Sequence, residues 1–325
     1  MLLLQLSCVS SGLLPVDGLL IEQLHLPGGL GESTLVVTPD GRSLLIDVGN
    51  DRHDDEVREA LLARTGRDSA DLVLLTHLDA DHFGGLDELD FERLIWRGEV
   101  DLDQADPGEL RELQDLLGEH TVESLCDEAG CELPFTLDLG DEASLTVFAA
   151  NGQLAGGASM DPEEEENDRS LMGRVQQGDF DYIFGGDAHR DLEDLVAAEL
   201  PEDLLPAGSV DLLHMNHHGK SSSTSQAWVQ RLLPEDGHTR HAVVGANRFY
   251  GSAPDEDALA RLGQRLAGGC VWVTEPGALS DEHPQRVDLD ASLTLRVLEG
   301  GDRYRLSSRD RDQERVLLEQ DSTPR

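Results

Sequence analysis

Two imidazoles and two carboxylates fall within six residues in His77-Leu78-Asp79-Ala80-Asp81-His82. Each group offers a lone pair once deprotonated, and such a set suits a divalent metal ion. The stretch follows Leu72-Val73-Leu74-Leu75, an apolar run that reads as a buried strand. It precedes Gly84-Gly85, which reads as the turn that ends the cluster. A solvated acidic loop has no reason to order its groups this regularly behind a strand, so the stretch reads as a metal loop. Two further apolar runs end in groups of the same kind. Tyr182-Ile183-Phe184 leads through Gly185-Gly186 to Asp187, and Met215-Asn216 leads to His217-His218. The glycines let backbone and metal approach closely. Alone, Asp187 reads as the N-cap of a helix starting near His189. Three strand ends that carry His or Asp at the strand-to-loop junction point together to one dinuclear site.

The elements that must position these groups follow from hydrophobic spacing. Strand-like runs cover residues 20–26, 33–38 and 43–48, the last two flanking the hairpin signal Pro39-Asp40-Gly41. Residues 54–64 have helical spacing, with Val57, Leu61 and Leu62 on one face. Residues 86–125 are mixed, with a helix expected over 107–117. Further strands are expected over 137–140, 144–148, 170–176, 180–184, 210–215, 242–245, 271–274, 293–297 and 304–306. Helices are expected over 191–199, 225–233 and 256–266. Strands come first as hairpins and then alternate with helices, twice. That order suits an α/β chain built as a four-layer αββα sandwich, two mixed β-sheets face to face with helices outside. The expected layout is a leader over 1–18, one domain over 19–306 and a loose polar tail over 307–325.

The chain has 325 residues, enough to bury a sizeable core without staples. Its formal charge is −41, from 25 basic and 66 acidic residues. Such a surface repels nucleic acid and anionic membrane, which counts against a dedicated DNA-binding protein. A cationic metal site inverts the sign locally. Lys220 is the only lysine, and it adjoins His217-His218-Gly219. The cysteines, Cys8, Cys126, Cys131 and Cys270, are few and scattered, and read as reduced or incidental thiols, with a Cys126–Cys131 disulfide as the alternative. No run approaches the ~18 apolar residues of a membrane span. The opening apolar residues lack a basic n-region and are too few for a signal peptide, so the expected location is cytoplasmic.

These residues also carry a resemblance. The chain resembles the metallo-β-lactamase superfamily, and within it the hydrolase domain of ComEC-type DNA-uptake proteins and their free-standing relatives. The matching pieces begin with Leu45-Ile46-Asp47-Val48-Gly49 and the run from Thr76 to Gly85. Asn167-Asp168-Arg169-Ser170-Leu171 and Phe184-Gly185-Gly186-Asp187 follow. His217-His218-Gly219-Lys220-Ser221-Ser222 and Gly245-Ala246-Asn247-Arg248 complete the set, in family order. The resemblance implies the αββα sandwich and a metal-dependent hydrolase with two divalent ions, Zn or Mn. It implies Asp81 and His82 on one ion with an imidazole of the His217–His218 pair, His77 and Asp79 on the other, and Asp187 bridging both. Neighbours at a strand end point in different directions, so one of the pair ligates and the other faces substrate. His218 is the expected ligand. Asp47 matches a family carboxylate behind the site that orients a ligand imidazole, and Asn167 is assigned a supporting place beside it. Asp79 stands where most of the superfamily has His, as is usual in the ComEC branch. The common third-motif His has no clear counterpart; Asn167 or Asp168 lies in that region. The family's basic, His-bearing loop is replaced by Phe249-Tyr250-Gly251-Ser252-Ala253-Pro254.

Two metal ions about 3.5–4 Å apart can share a water and lower its pKa from about 15.7 towards about 7. The bridging hydroxide then attacks phosphorus or a carbonyl in line with the leaving group. Asp81, His217 and Lys220 are the residues expected to act in that step. Lys220, Ser221, Ser222 and Arg248 are placed to hold a phosphate oxygen. The remaining histidines, His25, His53, His120, His189, His214, His238, His241 and His283, lack motif support and read as structural or surface residues. The expected substrate is a small-molecule or nucleotide-type phosphodiester, with nucleic acid disfavoured by charge. Hydrolysis of a lactone, thioester or β-lactam is the alternative. A non-catalytic binding domain that keeps the fold is the third reading, and the survival of every ligand in the first cluster, together with Asp187 and the His pair, argues against it.

Overall fold

Alternating burial builds two sheets and three apolar layers. The computed structural model describes residues 18–28, 31–99, 113–114, 117–118, 120–162, 165–245, 253–276, 283–310 and 313–323. The chain enters through β1 (Leu20–Gln23), β2 (Thr34–Val37), β3 (Ser43–Ile46), α1 (Asp54–Thr65), β4 (Ala70–Leu74), α2 (Ala80–Phe83), β5 (Phe91–Trp96) and β6 (Thr121–Ser124). A small pair follows, β7 (Cys126–Asp127) and β8 (Gly130–Cys131). The second half holds β9 (Phe135–Gly140), β10 (Ala143–Ala150), β11 (Gln153–Leu154), β12 (Met172–Gln177), β13 (Phe180–Phe184), α3 (Arg190–Glu199) and β14 (Leu212–His214). It continues with α4 (Gln226–Leu232), β15 (His241–Val244), α5 (Glu256–Gly263), β16 (Val271–Val273) and β17 (Arg286–Asp288). The chain then crosses back through β18 (Ser292–Leu298), β19 (Arg303–Asp310) and β20 (Gln313–Asp321).

One sheet has the order β20-β19-β18-β1-β2-β3-β4-β5-β6, and the other β11-β10-β12-β13-β14-β15-β16-β17 with β9 also on β10. Both are mixed. Strands β3 to β6 and β13 to β17 run parallel, and the others are antiparallel. The period of two decides which layer each side chain joins. In β4, Leu72 and Leu74 enter the core between the sheets, while Val73 turns to the layer under α1 with Val57 and Leu61. In β13, Tyr182 and Phe184 face the inter-sheet core, while Ile183 packs under the helices with Leu192, Val196 and Trp228. The result is the αββα sandwich expected from the sequence.

The parallel strands explain where the site lies. Ligands collect outside the carboxyl ends of parallel strands, where loops leave backbone and side chains free to converge. Asp47, residues 77–82, Asp187, His217–His218 and Gly245 all follow such ends, β3, β4, β13, β14 and β15 respectively.

Several expectations need correction. The segment from Ser307 is no loose tail: β19 runs to Asp310, and β20 pairs along it from Gln313 to Asp321. This edge strand is held partly by surface ion pairs, such as Arg305 with Glu319 at 2.8 Å, so its polar faces hide the strand period. The stretch 86–125 contains β5 and β6. Cys126 and Cys131 are joined as a disulfide rather than reduced. They lie directly opposite in the β7–β8 pair, a placement that their spacing in sequence does not display. The helix expected over 107–117 lies mostly outside the described residues, as do the leader up to residue 17 and Arg248.

Candidate metal centre

The first sheet supplies a fixed half of the site. Asp47 leaves β3 with φ 58°, a left-handed conformation uncommon for a residue with a side chain. That bend carries its carboxylate to the end of β4. Oδ1 accepts the Thr76 N–H at 2.8 Å, and Oδ2 accepts the Thr76 hydroxyl at 2.7 Å. Oδ2 also lies 2.8 Å from His82 Nδ1, which donates to it and leaves the Nε2 lone pair facing Asp187 Oδ1, 3.1 Å away. Thr76 Oγ1, its proton given to Asp47, accepts from His77 Nδ1 at 2.9 Å, so His77 Nε2 also turns inward, 3.6 Å from Asp79 Oδ2. The Leu78 amide between these ligands donates to Glu166 Oε1 at 2.8 Å, and buried Arg97 holds Glu166 in turn.

The second sheet supplies the other half, and here the backbone is strained. His217 (φ 52°), His218 (φ 53°) and Gly219 (φ 74°) are left-handed in succession. Such conformations cost on the order of 1–3 kcal/mol for each non-glycine residue and persist only where the surroundings dictate them. Asn216 donates to Glu193 Oε1 at 2.8 Å, and the same carboxylate accepts the Thr224 and Ser225 amides at 2.9 and 2.5 Å, which pins the loop to α3. The turn sends the two imidazoles apart. His218 points inward, its Nε2 3.0 Å from Asp81 Oδ2 and 3.6 Å from Asp187 Oδ2. His217 points to the mouth, with its side chain 22% exposed, its Nε2 3.8 Å from Asp187 Oδ2 and its Nδ1 2.9 Å from Ser222 Oγ.

Gly185 and Gly186 also settle how the strand ends pack. A Cβ on Gly186, at φ 52°, would stand 2.5 Å from Thr76 Oγ1, and one on Gly185 would stand 2.8 Å from Asn216 Oδ1. These glycines let β13 seat against the ends of β4 and β14. Asp187 does not cap α3, whose N-cap is His189; its backbone N–H donates to Ser170 Oγ at 3.3 Å and its carboxylate is free for the centre.

The cluster's electrostatics call for positive charge. Burial pushes the Asp187 carboxyl up, but His82 and His218 outweigh this and hold it well below the usual carboxylate range. Burial presses on His82 and His218 in the opposite sense. Asp187 with Asp47, and Asp187 with Glu32, hold these imidazoles well above the ordinary histidine value. Protons are one way to meet that field, and divalent ions are another. His77 Nε2, His82 Nε2 and Asp187 Oδ1 are buried and have no hydrogen-bond partner among the described residues, although all face the centre. His77, His82 and Asp187 place ligand atoms within 4.8 Å of one another, as do Asp81, His82 and His218. Inward-facing lone pairs without donors fit resident metal ions.

The structure thus brings together His77, Asp79, Asp81, His82, Asp187, His217 and His218, with Asp47 behind His82. Lys220 is partly buried, in the field of Asp255 and Asp187. The Ser221 amide donates to Asp255 Oδ2 at 2.8 Å. Asn167 turns to His189, with Nδ2 3.3 Å from its Nε2. His189 was not marked by any motif, yet its ring lies 5.0 Å from that of His217. Glu32, Glu166 and Glu193 were also missed. They act across long sequence separations, and a short motif carries no signal of them.

Residues 27–95 match the family described as the Metallo-beta-lactamase superfamily. That match spans β2 to β4, and with the two mixed sheets and outer helices the fold is the metallo-β-lactamase fold. A solved metal-dependent hydrolase of the beta-lactamase superfamily is 19% identical, with 81% of this chain and 100% of that chain covered and a TM-score of 0.49. A diphosphatase of the PhnP family is 13% identical over 83% of this chain and 94% of its own, with a TM-score of 0.40. An archaeal superfamily protein from Sulfolobus tokodaii is 20% identical over 53% and 64%, with a TM-score of 0.29. No curated protein matches the sequence.

Proposed function

We propose that this chain is a metal-dependent phosphodiester hydrolase with two divalent ions, Zn or Mn. The observation that carries the proposal is the placement of Asp187, whose oxygens face His82 at 3.1 Å and His218 at 3.6 Å, where ligands from both sheets meet. Asp81, His82 and His218 would hold one ion, His77 and Asp79 the other, and Asp187 both. Bound divalent ions supply an activated water and charge stabilisation for in-line displacement. The chain's own groups do the rest. Asp47 and Thr76 keep the His77 and His82 lone pairs aimed inward. His217, steadied by Ser222, faces the incoming substrate. Lys220, with Ser221 and Arg248, holds a non-bridging phosphate oxygen, and partial burial makes that contact stronger than a surface pair. The carboxylate-rich ligand set and the ComEC-type motif pattern favour phosphorus over carbonyl chemistry.

The charge of −41 favours a small diester over a long polyanion. No helix among the described residues is long and apolar enough to cross a membrane. A cytoplasmic setting belongs to the same proposal, as does a single hydrolase domain that runs on through β20. The test is turnover of bis-p-nitrophenyl phosphate by the full chain with added Mn or Zn, beside a lactone panel. Diester turnover is expected, and Asp187→Ala should lose more than the ~10–100-fold that removal of an outer-shell partner costs. Lactone turnover without diester turnover would move the reading to carboxylic substrates, and unchanged turnover in Asp187→Ala would remove the bridging role.

A further inference from the structure

Glu32 lies behind His218, in the loop between β1 and β2, and is 3% exposed. It touches both halves of the site. Its N–H donates to the Asp81 carbonyl at 3.0 Å, and its carbonyl accepts the Gly49 N–H at 3.0 Å. Its side chain crosses to the second sheet, where Oε1 accepts the Gly245 N–H at 2.8 Å. Oε1 also lies 3.7 Å from His218 Nδ1, and Oε2 lies 3.1 Å from His214 Nε2. The Gly245 carbonyl is the direct partner of His218 Nδ1, at 3.1 Å. A Cβ on Gly245 would stand 2.8 Å from Glu32 Oε1, so the glycine admits the carboxylate.

A buried carboxylate costs several kcal/mol in desolvation, which an apolar side chain would avoid. Here the charge has a use. We propose that Glu32 is the positioning residue for His218. It fixes Gly245, whose carbonyl takes the His218 Nδ1–H, and adds negative charge behind that ring, so that the Nε2 lone pair stays turned to the ion position beside Asp81 and Asp187. The same residue ties the Asp81 backbone, so two ligands from opposite sheets are set in register by one side chain and its amide. Fixing the ring from behind also raises its basicity as a ligand. His214 Nε2 lies 3.1 Å from the same carboxylate, which gives that histidine a place in the same arrangement. The inference rests on the reading that Asp81, His82 and His218 hold one of two ions.

The test uses the full chain with zinc alone as probe. Zinc equivalents and their affinities are measured by chelator competition, and thermal unfolding of the metal-free protein reports the fold. Wild type should bind two equivalents. Glu32→Gln removes the charge, and Gly245→Ala displaces the carboxylate without removing it. Each should weaken one equivalent by about 10–100-fold and leave the other unchanged. Both equivalents unchanged, or both weakened alike, would overturn the role, since general loosening does not select one ion. If Glu32→Gln fails to fold, Gly245→Ala decides by the same criterion. A wild type that binds no zinc overturns the metal reading itself, and this inference with it. Two equivalents in wild type, bound with the same two affinities in both variants, overturn the inference alone.

Discussion

Asp187 is the residue at which the two sheets meet chemically. Its neighbours were legible because their chemistry is local: His77, Asp79, Asp81 and His82 sit within six residues behind an apolar run. The choice between His217 and His218 was not legible in the same way. It depends on consecutive left-handed backbone angles, which turn one ring inward and leave the other at the mouth. Glu32 was illegible for another reason, since it reaches Gly245 from the far end of the chain. At this scale the role proposed for Lys220 can be tested apart from metal binding. A charge-assisted hydrogen bond to phosphate contributes about 1.5–3 kcal/mol, or ~10- to 100-fold in rate. Lys220→Ala should therefore lower kcat/KM on bis-p-nitrophenyl phosphate by about that factor while zinc binding stays as in wild type. Full activity in that variant would remove Lys220 from phosphate recognition.

Elements were read well wherever their apolar residues fill a core layer. Strand β4 shows as an apolar run because Leu72 and Leu74 fill one layer and Val73 another, and α1 shows its helical period because Val57 and Leu61 face one layer. Strands β6 and β20 did not, because partly exposed edge strands carry polar residues on both faces. What positions the His217–His218 loop is also an element contact, the Glu193 tie from α3. Burial pushes the Glu193 carboxyl up to about 7, against the pull of the Ser225, Thr224 and Asn216 donors. Folding thus favours the protonated acid. Its stabilisation is complete below the ordinary value of 4.5 and is lost as pH rises through about 7. The wild-type unfolding free energy should carry a fall on the order of 3 kcal/mol from this group across that window. Asp211, also raised to about 7 by burial, adds a fall of the same sign. Glu193→Gln should therefore reduce the slope without abolishing it, as read by denaturant unfolding at a series of pH values. An identical slope in the variant would rule out Glu193 as a source.

The whole molecule sets which substrates can reach the centre. A charge of −41 surrounds a site that calls for cations, so small diesters enter more easily than long polyanions. Added salt shortens the Debye length to about 10 Å at 0.1 M and weakens that repulsion. Any turnover of single-stranded DNA should therefore rise with salt, opposite to the usual loss of nucleic-acid binding. A fall with salt would indicate a basic track that the global charge hides. The central claim is narrower: ligands from both sheets hold two ions around Asp187. Anomalous diffraction from crystals of the full chain grown with zinc tests it most directly. The expected map has two peaks about 3.5–4 Å apart, one among Asp81, His82 and His218, one beside His77 and Asp79, with Asp187 between them. A map with no peak in this cluster, or with one peak that Asp187 does not touch, would contradict it.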